Sequence, residues 1–324
     1  MVWHHWVMDL FTRSSRNPIL VPSGDWWEAR GVLNPGAVQI EDRVVLVYRA
    51  VGADGLSRFG LARLEDGERI VERRFFYEPS PGEPATRLGI EDPRLTLLDG
   101  NAFLTYTQVS VGPATEPPLP WEFAPFRLRS AVARTPDFTS VDPSGIILPA
   151  VNTKDSVLFP ARIGGEYAAL VRDYPSIQYT SSPDLQHWSE PVTLLEPLPG
   201  TWEGERVGAG PPPLLTPWGW LLLYHGNEYL RQPGNRRLYR MGLAVLDRDR
   251  PWSVRYRHPQ PVFEPEAPYE IEGPVGNVVF GTGLVERAEL LYLYYGAGDG
   301  VIGLATAARA DLDALLEAAL GPPA

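Results

Sequence analysis

The chain contains no cysteine, and of its 29 basic residues Lys154 is the single lysine. The lack of cysteine excludes disulfide bonds and every metal site that uses thiolate ligands. A preference for arginine along the whole chain is typical of genomic composition and does not indicate a function. Lys154 departs from that preference, so we treat it as a candidate functional residue, with coincidence as the alternative.

Long apolar runs and an excess of positive charge are also missing. No stretch approaches the roughly 18 apolar residues of a membrane-spanning helix. The net charge of −11 argues against a nucleic-acid-binding protein, which would present a basic surface. The N-terminal residues lack the charged region and long apolar core of a secretory signal, so we expect a cytoplasmic protein that binds neither nucleic acid nor membrane.

What the chain does contain is one pattern that recurs five times. Each copy has a Pro or Gly turn, an apolar run, a polar turn, a second apolar run and then a third short strand. The first two runs of each copy lie at 35–50, 93–108, 155–173, 213–226 and 276–296. An all-strand repeat of roughly 50 to 60 residues is typical of a propeller blade. The sequence therefore predicts an all-β, five-bladed β-propeller.

A single blade cannot bury both of its faces, so residues 1–324 are predicted to form one domain. The predicted blades are residues 31–75, 90–140, 152–195, 206–255 and 270–308. Ala and Leu recur at helical spacing over 310–320, which predicts a short C-terminal helix that either caps the last blade or docks a partner. The proline-rich stretch 111–126 is interpreted as an insertion after the second strand of the second blade, and we expect it to form a wall of the acceptor subsite.

The innermost strand of each blade lines the central channel, so residues at the starts of these strands are expected to converge. The candidates are Asn34, 91–92, 154–155, 206–208 and 270–276. Packing favours Val, Leu and Gly at such positions, yet these residues are largely polar. A carbohydrate or small-anion site is therefore favoured over a solvated channel lined by ordinary charges.

Asp92 is the leading candidate among the carboxylates. Because Pro93 restricts the residue before it, Asp92 is expected to be extended, with Arg94 pointing to the same side of the strand. Cleavage of a glycosidic bond needs a carboxylic acid that protonates the leaving oxygen, and an inverting hydrolase needs a second carboxylate as a base. Further carboxylates expected near the axis are Asp155, Asp299, Glu270 and Glu272. A purely structural Asp–Arg pair is the alternative.

Four cations are predicted at inward-facing strand ends in consecutive blades: Arg49, Lys154, Arg172 and Arg206. His225 is predicted to lie near them. Water needs no such cluster as a nucleophile, whereas a phosphate dianion is bound well by planar guanidinium groups and a compact ammonium. In a protein with a net negative charge, a local cluster of cations is also less easily explained by chance. This pattern favours phosphate as the attacking group.

With these residues identified, the sequence resembles glycoside hydrolase family 130, the β-mannoside phosphorylases and β-mannosidases. The resemblance extends from about Asn17 to Ala305 and has landmarks in every blade. They include Asn34-Pro35-Gly36-Ala37, Tyr48-Arg49-Ala50, Glu91-Asp92-Pro93-Arg94, Lys154-Asp155-Ser156, Gly208-Ala209-Gly210-Pro211, Tyr224-His225-Gly226 and Tyr295-Gly296-Ala297-Gly298-Asp299.

The resemblance implies a phosphorylase in which Asp92 is the general acid and acts through the 3-hydroxyl of the mannose. Phosphate then attacks C1 with inversion and gives α-mannose 1-phosphate. The implied phosphate contacts are Arg49, Lys154, Arg172, Arg206, His225 and Tyr239. The implied substrate contacts are Asn34, Ser57, Asp155 and Asp299, and Glu91, Arg94 and Glu272 complete the predicted substrate-binding set. No metal and no cofactor are implied, because phosphate is the co-substrate of a small β-mannoside oligosaccharide.

Two alternatives stay open at this point. The first is an inverting β-mannosidase with Glu270 or Glu272 as the base. Glu272 is also a possible base because Asp92-Pro93 and Glu272-Gly273-Pro274 resemble short motifs of the arabinanase-like furanosidases. A non-catalytic sugar-binding propeller would use Asn34 and Asp299 without an aimed acid. The sequence also leaves open whether the protein is a homo-oligomer, and which linkage and acceptor sugar it uses.

Overall fold

The computed structural model describes residues 10–80, 82–112, 126–229 and 237–323. These residues form five antiparallel sheets arranged as the blades of a propeller, which confirms the predicted fold class. In the first three sheets, the inner strand is followed outward by the next three strands in chain order. The fourth sheet also contains an extra short strand, which pairs with the strand next to the inner one.

Strand β1 (Thr12–Arg13) precedes the blades. The first sheet contains β2 (Gly31–Ile40), β3 (Arg43–Val51), β4 (Ser57–Glu65) and β5 (Arg69–Tyr77). The second contains β6 (Ile90–Leu98), β7 (Asn101–Val111), β8 (Phe126–Arg134) and β9 (Asp142–Ile147). The third contains β10 (Lys154–Leu158), β11 (Tyr167–Asp173), β12 (Ser176–Ser182) and β13 (Val192–Leu195). The fourth contains β14 (Arg206–Ala209), β15 (Leu214–Thr216), β16 (Gly219–Tyr229), β17 (Arg237–Leu246) and β18 (Val254–Arg257). The fifth contains β19 (Val279–Arg287), β20 (Leu290–Ala297) and β21 (Val301–Ala308).

The fifth sheet is completed by the N-terminal strand. Thr12 and Arg13 of β1 pair with Thr306 and Ala305 of β21, so both ends of the chain contribute to the last blade. This closure was absent from the predicted blade ranges. Two other boundaries also differ. The second sheet continues to residue 147 where 140 was predicted, and the fifth begins at 279 where 270 was predicted. A helical turn, α1 (Pro268–Ile271), occupies the start of that predicted blade.

The apolar core is divided among the five interfaces between neighbouring blades. Each interface holds one cluster of buried side chains that both adjoining sheets supply, for example Leu46 with Leu304, Val47 with Leu104, and Leu170 with Leu222. The remaining two clusters join the second sheet to the third and the fourth to the fifth. Every blade therefore buries both of its faces only when the ring is closed.

The inner strands are interrupted by β-bulges at the end that holds the candidate site. The pairing register shifts after Leu33 in β2, after Glu91 in β6 and after Lys154 in β10. The residue that follows each shift has a left-handed backbone, with φ values of 49° for Asn34, 52° for Asp92 and 53° for Asp155. The prediction that Asp92 is extended is therefore wrong. Asn and Asp tolerate this conformation better than most residues, and bulges re-aim side chains beside active sites.

The C-terminal helix, α2 (Arg309–Leu320), begins one residue before its predicted start. Leu312 and Leu316 are fully buried in the cluster between the fourth and fifth blades, and Trp218 donates a hydrogen bond to the carbonyl of Gly321. Of the two roles left open, the helix therefore caps the last blade. Within the described ranges, no helix is long and apolar enough to cross a membrane.

Candidate active site

A cavity of about 780 Å³ opens where the inner strands begin. Its wall combines the starts of inner strands with the ends of second strands and with the segment 271–276, which we call the rim. The predicted site residues that line it are Asn34, Arg49, Asp92, Lys154, Asp155, Arg172, Arg206, Tyr239, Glu272 and Asp299. The structure thus brings together side chains from all five blades.

Asp92 is buried in the wall of this cavity and is surrounded by donors. Asn34 Nδ2 donates a 2.7 Å hydrogen bond to Asp92 Oδ1, and Arg49 Nη1 lies 3.3 Å from the same oxygen. Lys154 Nζ lies 3.0 Å from Asp92 Oδ2. Burial opposes ionisation of Asp92, but Lys154 and Arg49 outweigh it and hold the pKa of Asp92 below its ordinary value. In the protein without substrate, Asp92 is therefore an ionised carboxylate whose orientation is fixed by these donors.

Glu91 and Ser57 hold the two cations beside Asp92. Glu91 accepts from Arg49 Nη2 at 2.7 Å and from Lys154 Nζ at 2.8 Å. Ser57 Oγ accepts from Arg49 Nε at 2.8 Å, is buried and does not line the cavity. Burial lowers the pKa of Lys154, but Asp92 and Glu91 together raise it above its ordinary value. Ser57 was predicted as a sugar contact, and its position instead orients Arg49.

A second group of charges lies between the third and fourth blades. Arg172 Nη1 is 2.7 Å from Asp155 Oδ2, and both side chains are nearly or fully buried. Burial acts against ionisation of Asp155, but Arg172 and other cations keep its pKa well below its ordinary value. Burial lowers the pKa of Arg172, and the neighbouring Arg206 lowers it further. Arg172 thus faces the cavity in a crowded cationic environment.

Arg94 does not reach the cavity, which corrects its prediction as a substrate contact. It is fully buried on the axis, where Nη1 donates to the carbonyl of Asp92 at 2.9 Å and Nη2 donates to the carbonyl of Ala209 at 3.0 Å. Nη2 also lies 3.4 Å from Asp155 Oδ1. The bulge after Glu91 breaks the strand alternation on which the prediction relied. Arg94 instead supports the floor beneath both carboxylates.

His225 was predicted to contact phosphate, but its ring is fully buried and does not line the cavity. It packs against Phe280, with 4.2 Å between the ring centroids, and its Nε2 lies 3.4 Å from Asp155 Oδ2. Burial lowers the pKa of His225 to about 4, although Asp155 opposes this shift. The imidazole is therefore neutral near neutral pH, and it contacts Asp155 and not the cavity.

Arg206 and Tyr239, both predicted phosphate contacts, line the cavity and contact each other. Arg206 hydrogen-bonds to the Tyr239 hydroxyl, and its guanidinium lies 5.5 Å from the centre of the Tyr239 ring. Arg237 also lines the cavity, with its Nε 3.2 Å from Glu205 Oε2. Arg237 is not among the predicted site residues. It lies two residues before Tyr239 on β17, so strand alternation from Tyr239 could have identified it.

A second cavity of about 470 Å³ adjoins the first beside the second blade. The two cavities share Lys154, Arg172, Arg206 and Arg237, and the second is also lined by Glu91 and by apolar side chains such as Leu128. Phe126, the last residue of the insertion predicted at 111–126, also lines this second cavity. Residues 113–125 lie outside the described part of the chain, so the interpretation of that segment stays a prediction.

Asp299 differs from the other carboxylates of the cavity. Its backbone is left-handed, with φ of 53°, and burial raises its pKa to about 6 against the lowering effect of Arg49. Asp92 raises the pKa further by like-charge repulsion. Asp299 thus keeps its proton to a higher pH than an ordinary aspartate does.

The two glutamates considered as alternative bases lie in different environments. Glu272 lies on the rim and lines the cavity, as predicted. Glu270 is fully buried and bound by Arg13 Nε at 2.9 Å and by the Tyr295 hydroxyl at 2.7 Å. Its other oxygen accepts from the amides of Glu266 and Ala267. Glu270 does not reach the cavity, so the hypothesis that it acts as a base is not supported.

Comparison with known proteins gives consistent matches over nearly the whole chain. A 1,2-beta-oligomannan phosphorylase from Thermoanaerobacter is 33% identical over 93% of this chain and 98% of that protein. A beta-1,2-mannobiose phosphorylase from the same organism is 33% identical over 91% and 96%. A solved beta-1,2-mannobiose phosphorylase from Listeria innocua, in complex with beta-1,2-mannobiose, is 26% identical, with a TM-score of 0.79 over 95% of this chain and 99% of that one.

The family comparison covers the same region. Residues 8–317 match the glycoside hydrolase family 130 model, which is described as beta-1,4-mannooligosaccharide phosphorylase. The match includes every cavity residue described above and all five sheets. The chain belongs to glycoside hydrolase family 130.

Proposed function

We propose that this protein is a β-mannoside phosphorylase. The observation that carries the proposal is the convergence of Arg49, Lys154, Arg172 and Arg206, from four different blades, on one cavity that also contains Asp92. Guanidinium and ammonium groups suit the oxygens of a phosphate dianion. The matched relatives are named as phosphorylases of mannosides, which supports the same function.

In the proposed reaction, the terminal mannose binds beside Asn34, Asp92 and Asp299. Asp92 supplies the proton that reaches the glycosidic oxygen, through the 3-hydroxyl of the mannose as the family resemblance implies. Phosphate attacks C1 from the opposite face, so the configuration inverts and α-mannose 1-phosphate leaves with the acceptor sugar. The chain needs no second carboxylate for this chemistry because phosphate is itself the nucleophile.

The proposed substrate is a β-1,2-linked mannoside. The two Thermoanaerobacter relatives that span most of this chain are both named for β-1,2-linked substrates. A β-1,4-mannooligosaccharide phosphorylase from Ruminococcus albus is 34% identical, but over 47% of this chain. The linkage is thus proposed from the relatives and is the first variable to test.

A product assay tests both parts of the proposal. The enzyme is incubated with β-1,2-mannobiose or β-1,4-mannobiose, with and without inorganic phosphate, and mannose 1-phosphate and free mannose are measured separately. We expect mannose 1-phosphate from the β-1,2-linked substrate, and only when phosphate is present. Equal release of free mannose without phosphate would identify an inverting mannosidase, with Glu272 as the candidate base. Binding of mannobiose without turnover of either substrate would identify a sugar-binding propeller.

The cationic wall can be tested through Arg206. Replacing Arg206 by Gln removes one charge from the proposed phosphate site, so the KM for phosphate should rise about 10- to 100-fold, as expected for loss of a hydrogen bond to a charged group. Arg240→Gln is the matched control, because Arg240 lies on β17 of the same sheet, is paired with Glu228 and Glu264, and does not line the cavity. Initial rates at varied phosphate give both values. Equal KM values for the two variants would contradict the assignment.

A further inference from the structure

A general acid must carry a proton before it can donate one, but the structure holds Asp92 as a fully engaged carboxylate. Asp92 Oδ1 accepts hydrogen bonds from Asn34 Nδ2 at 2.7 Å and from Arg49 Nη1 at 3.3 Å. Asp92 Oδ2 lies 3.0 Å from Lys154 Nζ. The side chain is 2% exposed. Each oxygen of Asp92 thus has a donor beside it. A proton added to either oxygen would point toward the hydrogen of that donor, which is unfavourable.

The two cations that hold Asp92 also face the space assigned to phosphate. Arg49 and Lys154 line the cavity together with Arg172 and Arg206. In the protein without phosphate, Glu91 and Asp92 already neutralise Arg49 and Lys154. A phosphate dianion brings two further negative charges into this balanced group. The added charge is best offset by a proton on a neighbouring carboxylate, because a buried site with uncompensated charge is strongly disfavoured.

We propose that phosphate binding and protonation of Asp92 are one linked event: phosphate takes Lys154 and Arg49 as its counter-ions, and Asp92 then accepts the proton that it later donates to the substrate. This inference rests on the proposed phosphorylase function. It assigns a second role to the cations, which keep the acid ionised and inactive until the nucleophile arrives. Hydrolysis by water would then lack acid assistance in a site without phosphate, because Asp92 there carries no proton for the leaving oxygen.

The source of the proton depends on the form of phosphate that binds. When HPO₄²⁻ binds, Asp92 takes one proton from solvent. When H₂PO₄⁻ binds, its own proton can pass to Asp92, and the complex contains HPO₄²⁻ and protonated Asp92 with no net uptake. Both routes give the same complex, from which the carboxyl proton goes to the glycosidic oxygen as phosphate forms its bond to C1. The product mannose 1-phosphate then loses its proton and restores the balance.

Other groups near Asp92 could accept the proton instead, and the test must separate them. The charged groups that face Asp92 come from β3, β6, β10 and the turn before β21. They are Arg49, Glu91, Arg94, Lys154, Asp155 and Asp299. Glu91 shares both cations with Asp92, and the pKa of Asp299 is already raised to about 6. These two are therefore the rival acceptors.

Calorimetric titration in buffers of different ionisation enthalpy measures the protons taken up on binding, without any turnover. We expect an uptake of roughly one proton per phosphate at about pH 8, where the free ion is HPO₄²⁻, and little uptake at about pH 6. Sulfate, which remains a dianion, should take up roughly one proton at both values. The affinity for phosphate should weaken about tenfold per pH unit above the second pKa of phosphate. Affinity that does not change with pH would overturn the proposal.

Three variants identify the acceptor. Asp92→Asn should abolish the uptake and the pH dependence of phosphate binding, whereas Glu91→Gln and Asp299→Asn should retain both. Asn tolerates the left-handed backbone of position 92, so the Asn variant suits the fold, and its melting curve checks this. Uptake that persists in Asp92→Asn but disappears in either other variant would overturn the assignment to Asp92.

The outcome is separable from that of the product assay. A wild-type enzyme that hydrolyses mannosides without phosphate would refute the proposed function. A wild-type phosphorylase that binds phosphate without proton uptake at about pH 8 would leave the function intact and refute the linkage.

Discussion

Asp92 and Asp299 lie in one cavity, but their surroundings act on their acidities in opposite directions. Asp92 is buried, yet Lys154 and Arg49 keep its pKa below the ordinary value of 3.8. Burial raises the pKa of Asp299 to about 6, with Arg49 opposing the shift. The difference follows from contact, because Lys154 and Arg49 lie within 3.3 Å of Asp92. One carboxylate is thus stabilised as an anion, and the other retains a proton more readily.

This difference predicts opposite effects of pH on stability. Because the folded pKa of Asp299 is raised, the folded state binds the proton more tightly, and stability falls as pH rises from about 4 to about 6. Asp299→Asn removes that loss, so its stability relative to wild type should increase over this interval. The contribution of Asp92 is present above 3.8 and is lost only at lower pH, so Asp92→Asn should be less stable than wild type by a nearly constant amount from about pH 4 to 7.

Urea unfolding of wild type and both variants at several pH values measures these differences directly. Comparison with wild type at each pH cancels the titration of groups that the three proteins share. Parallel behaviour of the two variants between about pH 4 and 6 would contradict the opposed shifts.

Among secondary-structure elements, the connections that lead into the inner strands share a recurring contact. In three blades, a buried glutamate before the inner strand is bound by a tyrosine of the second strand, an arginine of the outermost strand, or both. The three sets are Glu28 with Tyr48 and Arg73, Glu203 with Tyr224 and Arg257, and Glu270 with Tyr295 and Arg13. In the fifth blade the arginine comes from β1, at the other end of the chain. The set therefore ties the turn before the rim to the N-terminal strand.

Arg13→Ala should affect both stability and substrate binding. Glu270 is fully buried, so removing its cation leaves a buried charge without its ion-pair partner, at a cost of about 3 kcal/mol. The rim begins directly after Glu270 and lines the cavity, so the KM for the mannoside should also rise. Urea unfolding and initial rates measure the two effects.

Two controls separate these effects. Arg73→Ala removes the corresponding cation of the first blade, away from the rim, and should cost stability without changing the KM for the mannoside. Arg16 is 62% exposed and lies 3.7 Å from Glu68, so Arg16→Ala should change stability by about 0–1 kcal/mol. An unchanged KM in a folded Arg13→Ala enzyme would show that the contact is only structural.

The strands could be predicted from the sequence because each blade repeats the same alternation of apolar runs and turns. The side-chain directions within the inner strands could not. A bulge adds one residue to a strand, so the side chains after it point to the opposite faces of the sheet. The sequence Asp92-Pro93-Arg94 alone predicts a regular extended strand, because the bulge is visible only in the pairing with the neighbouring strand. Arg94 was therefore assigned to the cavity although it lies beneath it. The resemblance depends on motifs and not on alternation, and the residues that it indicates, Asp92 and the four cations, all line the cavity.

At the scale of the whole molecule, closure of the ring depends on both chain ends. Strand β1 has two residues, which is too short for any periodic signal, and so it could not be predicted from the sequence. Beside it, Phe11 is 1% exposed and packs edge-on against Phe263, with 6.2 Å between the ring centroids. Leu312 and Leu316 of α2 lie in the same cluster. The N-terminal segment and the C-terminal helix therefore share one core between the fourth and fifth blades.

Phe11→Ala should consequently destabilise the entire propeller and not only its first residues. Truncation of a buried phenylalanine costs about 3–5 kcal/mol, and each blade buries its faces only in the closed ring. Unfolding in urea, followed by tryptophan fluorescence and by far-UV circular dichroism, should give coincident transitions at a lower midpoint than wild type. Val21→Ala is the control, because Val21 is 45% exposed and its truncation should change stability by about 0.5 kcal/mol or less. If Phe11→Ala matched that control, the core shared by the two chain ends would contribute little to closure, and the remaining four interfaces would have to hold the ring.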